Sequence, residues 1–574
     1  MPNQDKYETL MDIAKRRGFF WPSFEIYGGV GGFIDLGPLG TKLMKKIENK
    51  WREFFIKRLK LLEITTPIVM PHKVFEISGH VEHFKDPMVE CSRCERKYRA
   101  DHLLREFTET GVESLTLEEL GSKIKELEIR CPECKGMLSN PRYFFTMFTT
   151  TIGPYSQSIG YARPETAQGI FIDFKRVFEV ARERFPLGIA QIGRVLRNEI
   201  SPRQGPIRLR EFTIMEFEFF FDPEDPACPM LDEAKDELIN IVPLELRIKG
   251  IDEALRISIK DALKKKYILT EWLAYFMALS KIFVSELGIP EERQRFHEKL
   301  PNERAHYSIQ TYDHEVFLER WGWVELAGHA YRTDYDLSRH MEGTGEDLRV
   351  FKAYEKPITK RIKTISPILS SINQTFKEDS QKVIELLNES NAEEVEKSIN
   401  EKSYFEVDGF KILPNHVEIK LKEIKEYGKK FIPHVVEPSF GAERLVYATL
   451  EHAHTRIKDR DVLKIPPVIA PVQAIVLPLV SKNGLQEKAM EVYSTLLKNG
   501  FDVEYDDSGS IGRRYARADE VGIPIAITID HQTLKDETVT IRDRDTWKQV
   551  RVSISQLEGV IKSFNIMSGK SRAL

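Results

Sequence analysis

Apolar and polar residues alternate over residues 213–219 (Thr-Ile-Met-Glu-Phe-Glu-Phe), and this period of two predicts a β-strand. A basic stretch, residues 194–199, precedes it across a loop rich in proline and glycine, so the pattern predicts a hairpin. Glu216 and Glu218 fall on one face of the second strand, where they could hold a cation, and two phenylalanines fall on the other. The hairpin therefore combines an acidic face with an apolar one.

A helical pattern follows a glycine-rich turn near the start of the chain. Residues 41–61 are predicted to form an amphipathic helix, and residues 64–71 a strand that ends at proline. No Gly-Lys-Ser/Thr follows the turn, so a phosphate-binding loop is disfavoured, and we expect a packing or dimer element instead. Residues 272–287 are apolar on most faces, which is typical of a buried helix.

The length of 574 residues exceeds what one hydrophobic core supports, so two or more domains are expected. After a proline-rich linker, short strands and helices alternate, which predicts a small α/β domain over residues 465–574. Residues 1–464 would form the larger domain, with a cysteine-bearing insert at 90–141, a helical insert at 223–301 and a charged insert at 355–431.

The formal net charge of -4 gives no global attraction to a polyanion, so nucleic acid would have to bind to local basic patches. The basic run at residues 352–363 is one candidate for contact with RNA phosphates, although such runs are most often solvated faces. The N-terminus is polar, and Lys281 and Glu286 interrupt the most apolar stretch, so we expect neither a signal peptide nor a membrane span. A cytoplasmic protein is the prediction.

Four of the five cysteines form two Cys-x-x-Cys pairs, Cys91 with Cys94 and Cys131 with Cys134. Two such pairs supply four thiolates in a tetrahedral array, which suits zinc, although the gap between the pairs exceeds the usual spacing. Reduced thiols and a redox pair are the alternatives. Because four thiolates leave no open position for a water molecule, the predicted role of zinc is structural.

Two distant segments carry residues suited to a nucleotide. In the hairpin, the planar guanidinium of Arg197 matches a phosphate, and the ring of Phe212 offers a face for a purine. Later in the chain, Gly441 allows a ligand to approach the backbone closely, and Arg444 follows in a predicted first helical turn. Taken singly, such charged residues are usually surface ion pairs.

These segments resemble the signature motifs of the class II aminoacyl-tRNA synthetases: the hairpin resembles motif 2, residues 437–445 resemble motif 3, and residues 37–71 resemble motif 1. The resemblance covers nearly the whole chain and is strongest to the homodimeric glycyl-tRNA synthetases. The further segments that carry it are Ser78-Gly-His80, Tyr98-Arg-Ala-Asp-His102, Arg163-Pro-Glu-Thr-Ala-Gln-Gly169, Glu303-Arg-Ala-His-Tyr307, Glu325-Leu-Ala-Gly328, Asp336-Leu-Ser338, Glu437-Pro-Ser439 and, for the anticodon-binding domain, residues 509–524.

The resemblance implies a fold and a reaction. The fold is α/β of the α+β kind, with the antiparallel sheet of class II synthetases, flanking helices, helical insertions and an α/β anticodon-binding domain at 465–574. The reaction is ATP-dependent ligation of glycine to tRNA(Gly) through a glycyl-adenylate, with release of pyrophosphate and AMP. The implied partners are ATP with Mg²⁺, glycine, tRNA(Gly) and a second copy of the chain.

The resemblance also assigns nucleotide-binding residues. Arg197 would contact the α-phosphate and Arg444 the γ-phosphate, while Phe212 would stack on adenine. Arg197, Glu199 and Arg444 are the candidate catalytic residues. The candidate ATP contacts are Arg197, Asn198, Glu199, Arg208, Leu209, Phe212, Glu325, Leu326, Gly441 and Arg444, of which Glu325 and Leu326 would lie near magnesium and ribose.

Glycine has no side chain, so recognition must act on its ammonium and carboxylate groups. Glu165, Glu216 and Glu437 are candidates for an acidic cluster around the ammonium, and Ser439 would add a hydrogen bond. Arg99 would face the carboxylate, and its place between the two cysteine pairs suggests a link between metal and glycine site. A tight polar pocket excludes larger amino acids by steric clash, so no editing domain is expected.

Two alternatives stay open at the level of sequence. The first is a class II synthetase for threonine, proline, histidine or serine, against which the segments around Glu165 and at 437–439 argue. The second is an inactive relative that serves as a nucleic-acid-binding accessory subunit. Such a relative would be expected to lose its motif arginines, whereas Arg197 and Arg444 are both present.

Overall fold

The structure, a computed structural model, describes residues 5–105, 107–108, 112, 115–154, 157–202 and 204–568. The chain divides into two compact units, one formed by Met1–Leu348 together with Ile432–Leu574 and the other by Arg349–Phe431. No helix in these described ranges is both long enough and apolar enough to cross a membrane.

The first unit is built around a nine-stranded sheet. The pairs β3–β10 and β12–β14 are parallel, and the remaining neighbours in this sheet run antiparallel, in line with the predicted antiparallel sheet. In spatial order the strands are β13 (Leu255–Ser258), β12 (Leu238–Val242), β14 (Gln294–Glu298), β15 (Gln310–Leu318), β16 (Gly322–Thr333), β21 (His434–Gly441), β11 (Glu211–Phe221), β10 (Leu187–Leu196) and β3 (Leu62–Glu63).

Smaller sheets complete the first unit. They are β1 (Phe20–Pro22) with β2 (Ile34–Leu36); β4 (Val69–Pro71), β9 (Ile159–Ala162) and β8 (Thr149–Thr151); β6 (Lys97–Arg99), β5 (Lys85–Glu90) and β7 (Arg142–Phe145); β22 (His454–Ile457) with β23 (Arg460–Leu463); and β25 (Val503–Tyr505), β24 (Ala474–Pro478), β26 (Ile525–Ile529), β27 (Thr538–Asp543) and β28 (Gln549–Ser553).

Helices cover and connect these sheets. Those of the first unit are α1 (Lys6–Arg17), α2 (Pro38–Trp51), α3 (His72–Ile77), α4 (His80–His83), α5 (Ala100–Arg105), α6 (Leu117–Glu126), α7 (Ala167–Val180), α8 (Leu244–Ile248), α9 (Ile259–Lys264), α10 (Glu271–Glu286), α11 (Tyr335–Thr344), α15 (Ala442–Ala453), α16 (Leu485–Lys498), α17 (Ile511–Glu520), α18 (Thr533–Asp536) and α19 (Leu557–Ser568).

The two faces of β11 separate as the alternation predicts. Phe217 and Phe219 pack on one side against α10, with ring centroids 5.1 Å from Phe276 and 4.2 Å from Trp272 respectively. Phe220 points to the other side and packs against α7. Because Glu216 and Glu218 share this second side, the sheet carries its acidic residues on the face opposite to its main apolar core.

Helix α10 is the buried helix expected at 272–287. The Thr270 hydroxyl accepts a hydrogen bond from the backbone N–H of Leu273 at 3.1 Å and thereby caps the first turn. Nearly every side chain of the helix is buried, Lys281 included, which forms ion pairs with Glu237 at 3.0 Å and Glu291 at 3.2 Å. The apolar stretch is therefore a core element of the sheet.

The N-terminal helix pattern is confirmed with shifted ends. The pattern at 41–61 corresponds to α2, which begins at Pro38 and continues after Trp51 as a wider π-helical turn over Arg52–Lys57. Trp51 packs against the core phenylalanines Phe217 and Phe440. The helix therefore packs against the apolar face of the central sheet.

The C-terminal part has the predicted alternation of strands and helices, and β24, α16, β25 and β26 match the expected segments. Arg16 and Arg17 of α1 both donate to the carboxylate of Glu520 at the end of α17, at 2.5 and 2.6 Å. The predicted boundary near Lys464 stays a prediction, since the residues on either side of it lie in the same compact unit.

The second unit contains a long antiparallel hairpin of β17 (Val350–Pro367) and β20 (Val417–Phe431). At its end lie α12 (Leu369–Phe376), α13 (Ser380–Glu389), α14 (Ala392–Lys402), β18 (Phe405–Val407) and β19 (Phe410–Ile412), around a small core of their own. Lys and Arg outnumber Asp and Glu eleven to four over residues 349–367 and 417–431. Between them, at 368–416, acidic residues outnumber basic ones ten to five.

Candidate active site

A cavity of about 540 Å³ opens on the acidic face of the central sheet. The residues that line it include every candidate ATP contact except Asn198 and every candidate glycine contact except Arg99. Asn198 instead donates its backbone N–H to the Thr146 carbonyl at 2.7 Å. Residues far apart in the sequence therefore meet in one site.

Glu216 and Ser439 form the centre of the cavity floor. They are register partners on β11 and β21, and the Ser439 hydroxyl donates to Oε2 of Glu216 at 2.7 Å. The other oxygen, Oε1, accepts from the Thr166 backbone N–H at 2.8 Å and from the Thr166 hydroxyl. Burial, and then the nearby Glu165, raise the pKa of the Glu216 carboxyl.

Glu165 lies beside this floor and is held by polar neighbours. Its Oε1 lies 3.1 Å from Nε2 of His80, and it accepts from the Gln168 amide at 3.2 Å. The other ring nitrogen of His80 lies 2.8 Å from the Ser78 hydroxyl. Burial alone would raise the pKa of Glu165, but His80 and Arg332 outweigh burial and hold that pKa well below its usual range.

Arg332 is a buried cation that contacts several acidic residues of the floor. Its side chain is 0% exposed, and its guanidinium donates to Glu437 at 2.6 Å and to Asp336 at 2.8 Å, with Glu165 at 3.7 Å. The ring of Tyr307 covers the guanidinium at 3.5 Å. The sequence analysis did not identify Arg332, although the segment Asp336-Leu-Ser338 that begins four residues later carried part of the resemblance.

The charge on this floor depends on proton occupancy. Burial, helped by Glu216 and Glu165, raises the pKa of Glu437 to about 8, against the opposing influence of Arg332. A positively charged ligand such as an ammonium would favour the ionised carboxylate. The floor is therefore built to gain negative charge when a small cation enters.

The wall contributed by the hairpin carries cations and an aromatic ring. Arg197 donates to the Pro164 carbonyl at 3.0 Å, and its guanidinium carbon lies 5.5 Å from the centre of the Phe212 ring. Arg208 donates to Oε2 of Glu199 at 2.8 Å. Glu199 thus fixes one of the cations that line the cavity.

Arg444 occupies the first turn of α15, as predicted. It donates to the carbonyl of Ile207 at 2.9 Å and to that of Glu325 at 2.7 Å, so it ties the hairpin loop to β16. The atoms nearest to a Cβ added at Gly441 would be those of the Arg444 side chain, at the ordinary contact distances of 3.6–3.8 Å. Because the backbone of Gly441 is not in the left-handed region, its useful property is the open space that it leaves for a ligand.

Further charged residues line the cavity near Glu325. Lys299 lies 3.1 Å from Asp313. Burial opposes ionisation of Glu325, but Lys299, Arg444 and Arg197 outweigh it and lower the pKa of Glu325 to about 2. Burial and then Glu325 raise the pKa of Asp313 to about 7. Lys299 and Asp313 escaped the sequence analysis because neither lies in a recognisable motif.

Arg99 lies outside this cavity. Its guanidinium forms ion pairs with Asp86 at 3.1 Å and Asp101 at 2.6 Å. It lines a smaller adjoining pocket, which shares Glu199 and Arg208 with the main cavity. The structure thus brings Arg99 near the hairpin wall, whereas the acidic floor is formed by other residues.

The four cysteines of the two pairs converge on one point. Their sulfur atoms all lie within 4.8 Å of one another, with Cys91–Cys134 at 3.4 Å and Cys94–Cys131 at 3.6 Å. Zinc–sulfur bonds of about 2.3 Å in a tetrahedron would place the sulfur atoms about 3.8 Å apart. The geometry therefore fits a four-thiolate zinc site.

Known proteins match the chain almost end to end. It is 49% identical over 566 residues to a glycine–tRNA ligase of Aeropyrum pernix. This match covers 98% of this chain and 97% of that protein. It is 48% identical over 563 residues to the glycine–tRNA ligase of Pyrococcus horikoshii, with coverage of 97% and 98%. The anticodon binding domain family matches residues 473–564.

Solved structures agree on the fold. A prolyl-tRNA synthetase of Giardia lamblia in complex with prolyl-adenylate is similar with a TM-score of 0.52 at 14% identity, over 98% of this chain and 79% of that one. A prolyl-tRNA synthetase of Cryptosporidium parvum gives a TM-score of 0.52 at 15% identity, over 98% and 76%. The predicted fold class is confirmed, and the chain belongs to the glycine–tRNA ligase family of class II aminoacyl-tRNA synthetases.

Proposed function

We propose that the protein activates glycine with ATP and transfers the glycyl group from glycyl-adenylate to tRNA(Gly), releasing pyrophosphate and AMP. The observation that carries this proposal is the union, in one cavity, of a buried acidic floor with a wall of arginines and an aromatic ring. The floor suits the ammonium of a small amino acid, and the wall suits a nucleotide triphosphate.

In the proposed activation step, a carboxylate oxygen of glycine attacks the α-phosphorus of ATP and pyrophosphate leaves. Arg197 and Arg444 stabilise the negative charge that spreads over the phosphates, and Phe212 stacks on adenine. Glu199 holds Arg208 in place. No side chain forms a covalent intermediate, because the substrate carboxylate is itself the nucleophile.

In the proposed amino-acid site, Glu165, Glu216 and Glu437 surround the glycine ammonium and Ser439 adds a polar contact. A larger amino acid would have to place its side chain against these buried polar groups. The proposed contact of Arg99 with the glycine carboxylate requires its ion pairs with Asp86 and Asp101 to open on binding.

Two metals are part of the proposal. Glu325 and Asp313 offer carboxylate oxygens to the Mg²⁺ that accompanies ATP, and this ion would neutralise phosphate charge when bound. Zinc would be held by Cys91, Cys94, Cys131 and Cys134 and would fix the two knuckles of the insert at 90–141.

The proposed assembly is a homodimer that binds tRNA(Gly) through the C-terminal domain at 465–574 and acts in the cytoplasm. In support of a dimer, apolar side chains at the sheet of β4, β9 and β8 are 41–43% exposed, at Val69, Ile152 and Ile159. Light scattering tests the dimer directly, and a monomeric mass would contradict it.

Pyrophosphate exchange into ATP tests the activation step. The purified protein is supplied with glycine, alanine, serine, threonine, proline or histidine in separate reactions. We expect exchange with glycine alone. Exchange with another of these amino acids would favour the related synthetases, and no exchange by folded, metal-replete protein would favour the accessory subunit.

A further inference from the structure

Glu218 lies two residues beyond Glu216 on the same face of β11, but outside the lining of the cavity. Its side chain is 0% exposed, and within the described part of the chain neither of its carboxyl oxygens accepts a hydrogen bond. On β11 and β21, Glu216 pairs with Ser439 and Phe219 with Val436, so Glu218 lies across from Glu437. Two buried carboxyl groups therefore face each other.

Among the residues that the structure describes, the only cation that acts strongly on Glu218 is Arg332, which it shares with other carboxyl groups. The charged groups that act on it are Glu437 on β21, Arg332 on β16, Glu216 on its own strand and Asp336 on α11. The Arg332 guanidinium already donates to Glu437 and Asp336.

Apolar side chains lie beside it on the neighbouring elements. On β10 the register partner of Glu218 is Ile189, and on β11 the next residue of the same face, Phe220, packs against Phe174 of α7. An ionised carboxylate without a donor is strongly disfavoured in such a place. Burial, and then Glu437, raise the pKa of Glu218 far above its usual range.

We propose that Glu218 is a positioning residue of the amino-acid site, which keeps a proton during catalysis and donates it as a hydrogen bond to Glu437. Glu437 can then meet the glycine ammonium as a carboxylate, because the pair Glu218–Glu437 holds one proton between two acids. This role rests on the proposed function of the cavity. The proton never leaves the pair, so no bond of the substrate is made or broken by Glu218.

The kinetic test compares Glu218→Gln with Glu218→Leu. Glutamine keeps the shape and an N–H donor, so we expect the KM for glycine to stay within roughly threefold of the wild type, whereas leucine, which lacks a donor, should raise it about tenfold or more. The KM for ATP should change little in both, whereas a general loss of folded protein would lower kcat and leave both KM values unchanged. Glu451→Gln replaces another buried glutamate far along the chain and should leave both constants unchanged.

An unchanged KM for glycine in Glu218→Leu, or equal defects in both variants, would overturn the proposal. Infrared difference spectra decide the protonation state without any catalysis. At a pH about one unit above the pKa of Glu437, which is about 8, Glu437 is ionised, and the carbonyl stretch of a protonated carboxylic acid should still be present in the wild type, absent in Glu218→Gln, and shifted in Glu437→Gln. A carboxylate band in its place would overturn the proposal, whereas absence of glycine-dependent exchange in the wild type would refute only the proposed function.

Discussion

The Ser439 hydroxyl donates a hydrogen bond to Glu216 at 2.7 Å, between neighbouring strands whose residues are 223 positions apart in the chain. The Thr166 N–H and hydroxyl hold the other oxygen of the same carboxyl. These contacts fix the carboxyl group at the cavity floor before any ligand arrives. Preorganisation of this kind lowers the entropy lost when a small substrate binds.

Replacement of Glu216 should therefore affect glycine far more than ATP. In Glu216→Gln the site loses a negative charge, and we expect the KM for glycine to rise about tenfold or more. Ser439→Ala removes a single hydrogen bond to this carboxyl group and leaves the charge in place, so it should raise the KM for glycine by only about fivefold. Pyrophosphate exchange at varied glycine and varied ATP measures both constants, and equal losses in the two would contradict the assignment.

The two motif arginines should be essential for chemistry and dispensable for folding. Arg197→Ala and Arg444→Ala remove charge from the phosphate wall, so we expect adenylate formation to fall by about a thousandfold. Their protein contacts are mainly single hydrogen bonds to backbone carbonyls, so the melting temperature should change little. Arg256→Ala, on the remote strand β13, is the matched control. Full exchange activity in either motif variant would refute its role.

The pKa of Glu437, raised to about 8, gives glycine binding a pH dependence. Below that pH the carboxyl carries a proton and the ammonium meets a neutral group. We expect the KM for glycine to fall roughly tenfold as pH rises from about 6.5 to 8.5, an effect that Glu437→Gln should abolish. A glycine KM that is flat over this range would contradict the prediction.

Ionisation of the Glu437 carboxyl improves glycine binding but lowers the stability of the folded protein. A carboxyl whose pKa is higher in the folded than in the unfolded protein favours folding most at low pH, and its contribution is lost as pH rises toward about 8. Substrate-free protein should thus become less stable over the range in which its affinity for glycine improves.

Zinc should hold the cysteine insert together. Metal analysis is expected to find one zinc ion per chain, and Cys131→Ser should lose it. Without the ion the knuckles lose the bonds that hold their four sulfur atoms together, so limited proteolysis should cut within residues 90–141 first. If Cys131→Ser loses metal yet keeps normal glycine affinity, the suggested link from zinc through Arg99 to the glycine site is wrong.

The basic hairpin of the second unit should contribute to tRNA binding. We expect the combined replacement of Lys356, Lys422 and Lys425 by alanine to weaken tRNA binding about tenfold and to make its salt dependence less steep. Exchange in the absence of tRNA should be unchanged. The matched control replaces Lys377, Lys397 and Lys402, from the acidic end of the same unit, and unaltered tRNA affinity in the hairpin variant would contradict the prediction.

Local sequence patterns predicted those parts of this site that depend on a single strand or helix. The alternation on β11 placed Glu216 correctly, and the helix start at Ala442 placed Arg444 in its first turn. Arg332 could not be found in this way, because its importance comes from Glu437, Asp336 and Glu165, which the fold collects from other segments.

One helix and one hairpin were not predicted from the sequence pattern, for physical reasons. Helix α17 was not predicted, although Ile511, Tyr515 and Ala518 recur at helical spacing, because its three arginines give the segment a low mean hydropathy. The strands β17 and β20 expose both faces over much of their length, so their lysine-rich sequences lack the alternation that a half-buried strand shows. Contacts between distant segments, rather than local preference, define both.

Mutations on the two opposite faces of β11 should also have different consequences for the enzyme. In a scan of residues 214–219, changes at Met215, Phe217 and Phe219 would reduce the amount of folded enzyme, because these side chains pack in the core. Changes at Glu216 and Glu218 would leave its abundance largely intact and reduce its charging of tRNA. A one-residue insertion would exchange the two sets, so this strand can tolerate substitution in evolution far better than a change in length.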